Sequence, residues 1–219
     1  MTNPTYRAAI HRAATVAAVC LLSSSAFAKF NILKDVNSGK PPKDIMVVFD
    51  KTKDPKSFKA TDKNGNAEIS FADDGALRIR IHTRGASEII LPFPEAIDIT
   101  KANYVLLTCK LEGQSRGSWQ GNWHPWKPYT GEKLYWLLFG VDTSGRRTNG
   151  VISFDACAPD GYLPTEMTTL KLPAKFLATP HPDFGDPTQL NALMILIGHK
   201  RDTDDRDQTL IIERIAIAE

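Results

Sequence analysis

The stretch Ala76-Leu-Arg-Ile-Arg-Ile-His-Thr-Arg84 puts Leu77, Ile79, Ile81 and Thr83 on one side of an extended chain and Arg78, Arg80, His82 and Arg84 on the other. Successive strand side chains point to opposite faces, so a strict two-residue period predicts a β-strand with one buried and one wet face. A helix would repeat its apolar residues every three or four positions, and no run of a dozen residues here keeps that period. Shorter runs of the same β type lie at 45–49, 88–91, 104–111, 134–142, 150–154, 168–172, 192–198 and 209–218. Turn dipeptides separate them at Asn64-Gly65, Asp74-Gly75, Ser144-Gly145, Asn149-Gly150 and Asp160-Gly161. About ten short strands with irregular loops predict an all-β chain folded as a two-sheet antiparallel β-sandwich, a jelly roll.

The first 28 residues read differently. Arg7 and Arg12 precede an apolar run from Ala13 to Leu22, and small residues follow, ending in Ala26-Phe27-Ala28. Basic, apolar and then cleavable is the order of a secretory signal peptide. The apolar run stops at Ser23, short of the roughly 20 residues that cross a bilayer. Lipidation at Cys20, or retention of the segment as an anchor, are the competing readings. The predicted organisation is a signal peptide at 1–28, an exposed Lys-, Pro- and Asp-rich arm at 29–44, and a β-sandwich domain at 45–219. The predicted location is secreted or periplasmic, with no membrane span once the leader is removed.

Cleavage after Ala28 would leave 191 of 219 residues, enough for one domain. It would also lower Lys plus Arg from 27 to 25 against 25 Asp plus Glu. A near-neutral mature chain gives no electrostatic reason to expect nucleic acid as a partner. Cys109 and Cys157 would then be the remaining cysteines, in a compartment that permits disulfides. A bridge between them and two buried free thiols are both open, since each lies in an apolar stretch.

Chemistry concentrates in Ser118-Trp-Gln-Gly-Asn-Trp-His-Pro-Trp-Lys-Pro-Tyr129, which holds three of the four tryptophans. Indole rings stack on the flat C–H faces of sugars, so Trp119, Trp123, Trp126 and Tyr129 are candidate stackers, with Asn122 and His124 as polar contacts. The same rings would serve equally as a plug over one end of the core. The wet face bearing Arg78 and Arg80 could read an acidic polysaccharide if it lines a groove; otherwise it is a solvated strand face paired with neighbouring acids. Asp62-Lys-Asn-Gly-Asn-Ala-Glu-Ile-Ser-Phe-Ala-Asp73 is similar to an EF-hand calcium loop at its first, third, fifth and twelfth positions, but Ala67 replaces the turn glycine. A hairpin turn at Asn64-Gly65 accounts for the same letters.

Three further stretches resemble galactose-binding-like jelly rolls and carbohydrate-binding modules, at the level of the superfold. Ala96 to Leu107 resembles their aspartate-containing turn that leads into a long core strand. Glu166 to Phe176 resembles a strand ending in proline and phenylalanine. Gln189 to Ile197 followed by Leu210 to Ile217 resembles a closing hairpin with an acid midway along its last strand. The resemblance implies an exported, non-catalytic carbohydrate-binding protein whose partner is a polysaccharide or other glycan. It also implies a structural calcium between an early loop and the final strand, with Asp50 and Glu213 as candidates by position and no other cofactor. The same fold carries other activities, which keeps two alternatives open. One is a small polysaccharide lyase or glycoside hydrolase, although no nucleophile elbow, zinc motif, phosphate loop or carboxylate array is present. The other is an envelope protein-interaction module.

Overall fold

The computed structural model describes residues 42–81, 86–113, 135–158, 163–179, 183, 186–198 and 208–219. The chain divides into two compact units, Met1–Ser38 and Gly39–Glu219, and every described residue belongs to the second. The proposed leader lies outside the described residues, as does most of the proposed arm.

Among the described residues eleven strands follow one another: β1 (Asp44–Asp50), β2 (Thr61–Asp62), β3 (Ala67–Phe71), β4 (Leu77–Ile81), β5 (Ser87–Asp98), β6 (Tyr104–Gly113), β7 (Tyr135–Asp142), β8 (Arg147–Ser153), β9 (Thr168–Pro173), β10 (Gln189–Gly198) and β11 (Gln208–Ala218). The described helical structure consists of one turn at Phe154–Cys157 and three short 3-10 turns. Sheet A has the order β3-β4-β11-β6-β9, with β1 also paired to β11, and sheet B has the order β2-β5-β10-β7-β8. All pairings among the described residues are antiparallel. The expected two-sheet sandwich is therefore the fold.

β11 is the axis of sheet A. β6 pairs along its whole length, whereas its other edge is shared: β4 takes residues 208–212 and β1 takes 214–218. The register shifts between Ile212 and Arg214, leaving Glu213 as the extra residue at the junction of the two partners. Leu210, Ile212, Ile215 and Ile217 of β11 are buried toward the core, facing sheet B residues such as Leu193, Ile195 and Trp136. Each fully buried aliphatic of this kind contributes about 1.5–3 kcal/mol of transfer free energy.

Several expectations need correction. Gln189–Ile197 and Leu210–Ile217 do not form a hairpin, because β10 pairs with β5 and β7 in sheet B while β11 lies in sheet A. Asn64-Gly65 is a turn, with Gly65 at φ 67°, but β2 and β3 belong to different sheets, so it is a corner between sheets rather than a hairpin. Asn149-Gly150 lies inside β8. β5 runs to Asp98, well past the expected end at Leu91; Pro92 and Pro94 sit on its edge beyond the short β2 pairing, where a missing N–H costs no ladder bond.

Candidate functional site

The alternation of β4 is realised: Leu77, Ile79 and Ile81 are buried, Arg78 is half-buried and Arg80 is exposed. Antiparallel register carries this pattern across sheet A. Ser70, Arg78, Ile211 and Lys110 form one transverse row, and Glu68, Arg80, Thr209 and Glu112 form the next. A shallow groove of about 330 Å³ crosses this outer face, from Asp74 at the β3–β4 turn to Glu166 and Met167 just before β9. Ile211 forms an apolar floor, and the walls carry Arg78, Lys110, Glu112 and Glu213.

Most of the charges are internally matched. Lys110 Nζ lies 2.7 Å from Glu112, which raises the lysine pKa. Lys51 Nζ donates to Asp74 Oδ2 at 2.8 Å and to Glu213 Oε1 at 2.6 Å, and its own pKa is raised by these two carboxylates. The bridge holds the Asp74 carboxyl below its ordinary value. The turn is shaped for this contact: Gly75 has φ 87°, and a Cβ there would lie 2.6 Å from the carbonyl oxygen of Lys51. Arg80 reaches Glu68 at 3.7 Å, an exposed pair. No hydrogen bond or ion pair ties the Arg78 guanidinium or the Glu166 carboxylate to another described side chain. Among the described residues the groove therefore offers a guanidinium fork with no side-chain partner and a carboxylate whose neighbouring charge is Lys110.

The calcium candidates are engaged elsewhere. Asp50 Oδ1 accepts from Thr52 N and Oγ1 at 3.0 and 2.7 Å, and the Thr52 hydroxyl is the main cause of its lowered pKa. Glu213 is neutralised by Lys51, a lysine in place of the arginine that a buried acid often takes. In the EF-like stretch, both carboxylate oxygens of Asp62 accept backbone N–H groups, from Asn64, Asn66, Ala67 and Glu88, at 2.7–3.3 Å. Asn64 and Asn66 donate their side-chain amides to Ala86 O. Hydrogen bonding of the corner thus explains those letters. Among the described residues no group of three or more His, Cys, Asp or Glu is gathered to hold a metal ion. Cys109 and Cys157 are free buried thiols, each pushed up to about 12 by burial, so the disulfide reading is overturned and the small-hydrophobe reading holds.

Trp119, Asn122, Trp123, His124, Trp126 and Tyr129 lie outside the described residues. The fourth tryptophan, Trp136, is fully buried on β7. Sequence reasoning missed Lys110, Glu166 and Ile211. Strand pairing signalled them, since residues on the wet face of β6 and β11 fall opposite Arg78 only once the register is known.

No family model matches the chain, and no curated protein matches it either. Solved structures do. A family 30 carbohydrate-binding module of the cellulosomal cellulase Cel9D-Cel44B of Clostridium thermocellum is similar with a TM-score of 0.50 and 12% identity, covering 78% of this chain and 95% of its own. A second family 30 module has a TM-score of 0.49 and 13% identity, over 80% of this chain and 98% of its own. A family 11 module from Clostridium thermocellum, in complex with a β-1,3-1,4-mixed-linked tetrasaccharide, has a TM-score of 0.48 and 8% identity, over 82% and 96%. At such identity the likeness is one of fold: this chain has a jelly roll of the kind found in carbohydrate-binding modules.

Proposed function

We propose that this protein is exported and binds a neutral polysaccharide without cleaving it, along the outer face of sheet A. The observation that carries the reading is the groove itself, with its Ile211 floor and with Arg78 and Glu166 both lining it. Sugar rings present apolar faces edged by hydroxyls that both donate and accept, and a guanidinium together with a carboxylate serves both roles. Asp74, Glu112, Glu166 and Glu213 outnumber Arg78, Lys110 and the bridging Lys51, so the charge balance favours a neutral glycan over a uronate. The fold shared with a family 30 carbohydrate-binding module adds support. The leader at 1–28 accounts for export, and Trp119, Trp123, Trp126 and Tyr129 are residue types that stack on sugar rings.

A non-catalytic role is favoured by the acids. A general acid needs a carboxyl held above its ordinary range; of the four groove acids Asp74 is held below it and Glu112 and Glu213 each already face a lysine ammonium, which leaves Glu166 as the acid that the product assays test. The test is tryptophan fluorescence of the mature chain titrated with soluble neutral and uronic polysaccharides, with reducing-end and unsaturated-product assays on the same samples. A saturable shift with a neutral glycan and no product is expected. Product formation would replace the reading with an enzyme, and silence across the panel with loop tryptophans shielded from quencher would remove it.

A further inference from the structure

The geometry points to a second sugar-binding pocket at the lateral seam of the sandwich, separate from the groove and suited to a single neutral pyranose unit. This inference rests on the carbohydrate reading above and locates a further site for that ligand class. The seam exists because the free edge of β1 approaches β5 where the latter carries Pro92 and Pro94, which supply no N–H to close the sheets together. Between them lies a recess of about 400 Å³, within the range of small-ligand sites.

Its walls are aromatic and apolar. Phe58 is half-buried and packs against buried Phe49 at 5.1 Å between ring centroids with the rings tilted by 45°, and Phe93 and Pro94 also line the recess. The rim is polar with both signs, Asp50 and Asp54 against Lys53 and Lys59. Asp54 is the non-glycine residue at positive φ among the described residues, at 42°, and its side chain makes no cap hydrogen bond although it precedes the 3-10 turn Pro55–Ser57. An aspartate at an N-terminal cap ordinarily spends its carboxylate on the turn's own N–H groups. Here the carboxylate makes no such bond and stands on the rim of an aromatic recess that Lys53 and Lys59 also line. A flat ring edged by hydroxyls matches that combination, and a rim without net charge selects against anionic or cationic ligands.

Asp54 also supplies a clean test. Glycine is the residue that positive φ favours, so Asp54→Gly removes the carboxylate and relieves backbone strain together, and the variant is expected to fold at least as stably as the parent. Two-dimensional NMR of the labelled mature protein would follow amide shifts during titration with methyl β-D-glucopyranoside and, separately, with the mixed-linked β-glucan tetrasaccharide. Shifts at residues 53–59 and 93 that weaken about tenfold in Asp54→Gly are expected, the loss of one charged hydrogen bond. Shifts confined to Arg78, Lys110 and Ile211, or seam shifts that Asp54→Gly leaves unchanged, would overturn the seam pocket while sparing the groove. No shift at any residue with either probe would overturn the pocket and the carbohydrate reading together.

Discussion

The outer faces of the two sheets are built on opposite rules. On sheet A, β4 alternates Leu77-Arg-Ile-Arg-Ile81, and the face away from the core carries Arg78, Arg80, Lys110 and Glu112. On sheet B, the row Ile90, Met194, Phe139 and Val151 also faces away from the core, yet Met194 is 1% exposed and Phe139 is 7% exposed. Arg147 lies over the Phe139 ring at 4.7 Å, and Ala192 and Val141 join the same cluster. A strand buried on both faces reads as a continuous apolar run, as Asn191-Ala-Leu-Met-Ile-Leu-Ile197 does, whereas a strand with a wet face alternates. The contrast assigns stability to one face and leaves the other free to carry the proposed glycan site. Sheet A is itself divided at the Glu213 bulge, beyond which Tyr104, Leu106, Ala216 and Ala218 make a small apolar patch.

The sharpest way to break this contrast is to truncate one side chain on each outer face. Phe139→Ala should lower stability by about 3 kcal/mol, the cost of an emptied buried aromatic site, in urea unfolding followed by circular dichroism. Arg78→Ala should stay within about 0.5 kcal/mol of the parent in the same assay. Equal losses would mean that both faces serve as core.

A second prediction sharpens the account of sheet B. Asp142, 2% exposed, accepts from Ser144 N and Oγ, Arg146 N and Asp186 N, which ties the β7–β8 turn to the segment before β10. Burial alone would push its carboxyl up, but these hydrogen bonds outweigh it and the pKa is lowered. The stabilisation it provides is present above the ordinary value near 3.8 and is lost as pH falls through the lower folded value. Asp142→Ala should cost about 2 kcal/mol at neutral pH, with the difference from the parent shrinking in acid.

On sheet A the corresponding polar joint is half-buried at Lys51 and Glu213 and open to solvent at Asp74, and should matter less. Lys51→Met should reduce stability modestly at neutral pH and flatten its pH dependence at both ends. The contribution of Asp74, whose pKa is lowered, fades as pH falls through its folded value; that of Lys51, whose pKa is raised, fades as pH rises above 10.5. A pH-stability profile by thermal denaturation checks both limbs. The smallest effect concerns the thiols. Cys109 and Cys157 should resist a thiol reagent in the native protein and react fully on unfolding, with no change in melting temperature on adding reductant.

The strands were legible wherever one face is wet or the apolar run is continuous, as at Leu77–Ile81 and Gln208–Ala218. What the letters hide is pairing across long separations. β4 meets β11 over more than a hundred residues, so neither the division of β10 and β11 between sheets nor the convergence of Arg78 with Lys110 follows from local pattern. Local polar signals also have more than one use. Asp62 binds backbone N–H groups with the oxygens that a calcium loop would present, and Glu213 takes a lysine. Of the predicted glycan contacts, Arg78 opens onto the groove and Arg80 lies beside it, whereas the aromatic segment falls outside the described residues.

The claim that sheet A's outer face binds a neutral glycan is tested most directly by affinity electrophoresis of the mature protein and Arg78→Ala through gels containing mixed-linked β-glucan, xylan or a uronic polysaccharide. The account predicts that a neutral glycan retards the parent and that Arg78→Ala reduces the retardation about tenfold at unchanged stability. Mobility unaffected by every neutral glycan, or retardation that Arg78→Ala leaves intact, would contradict it.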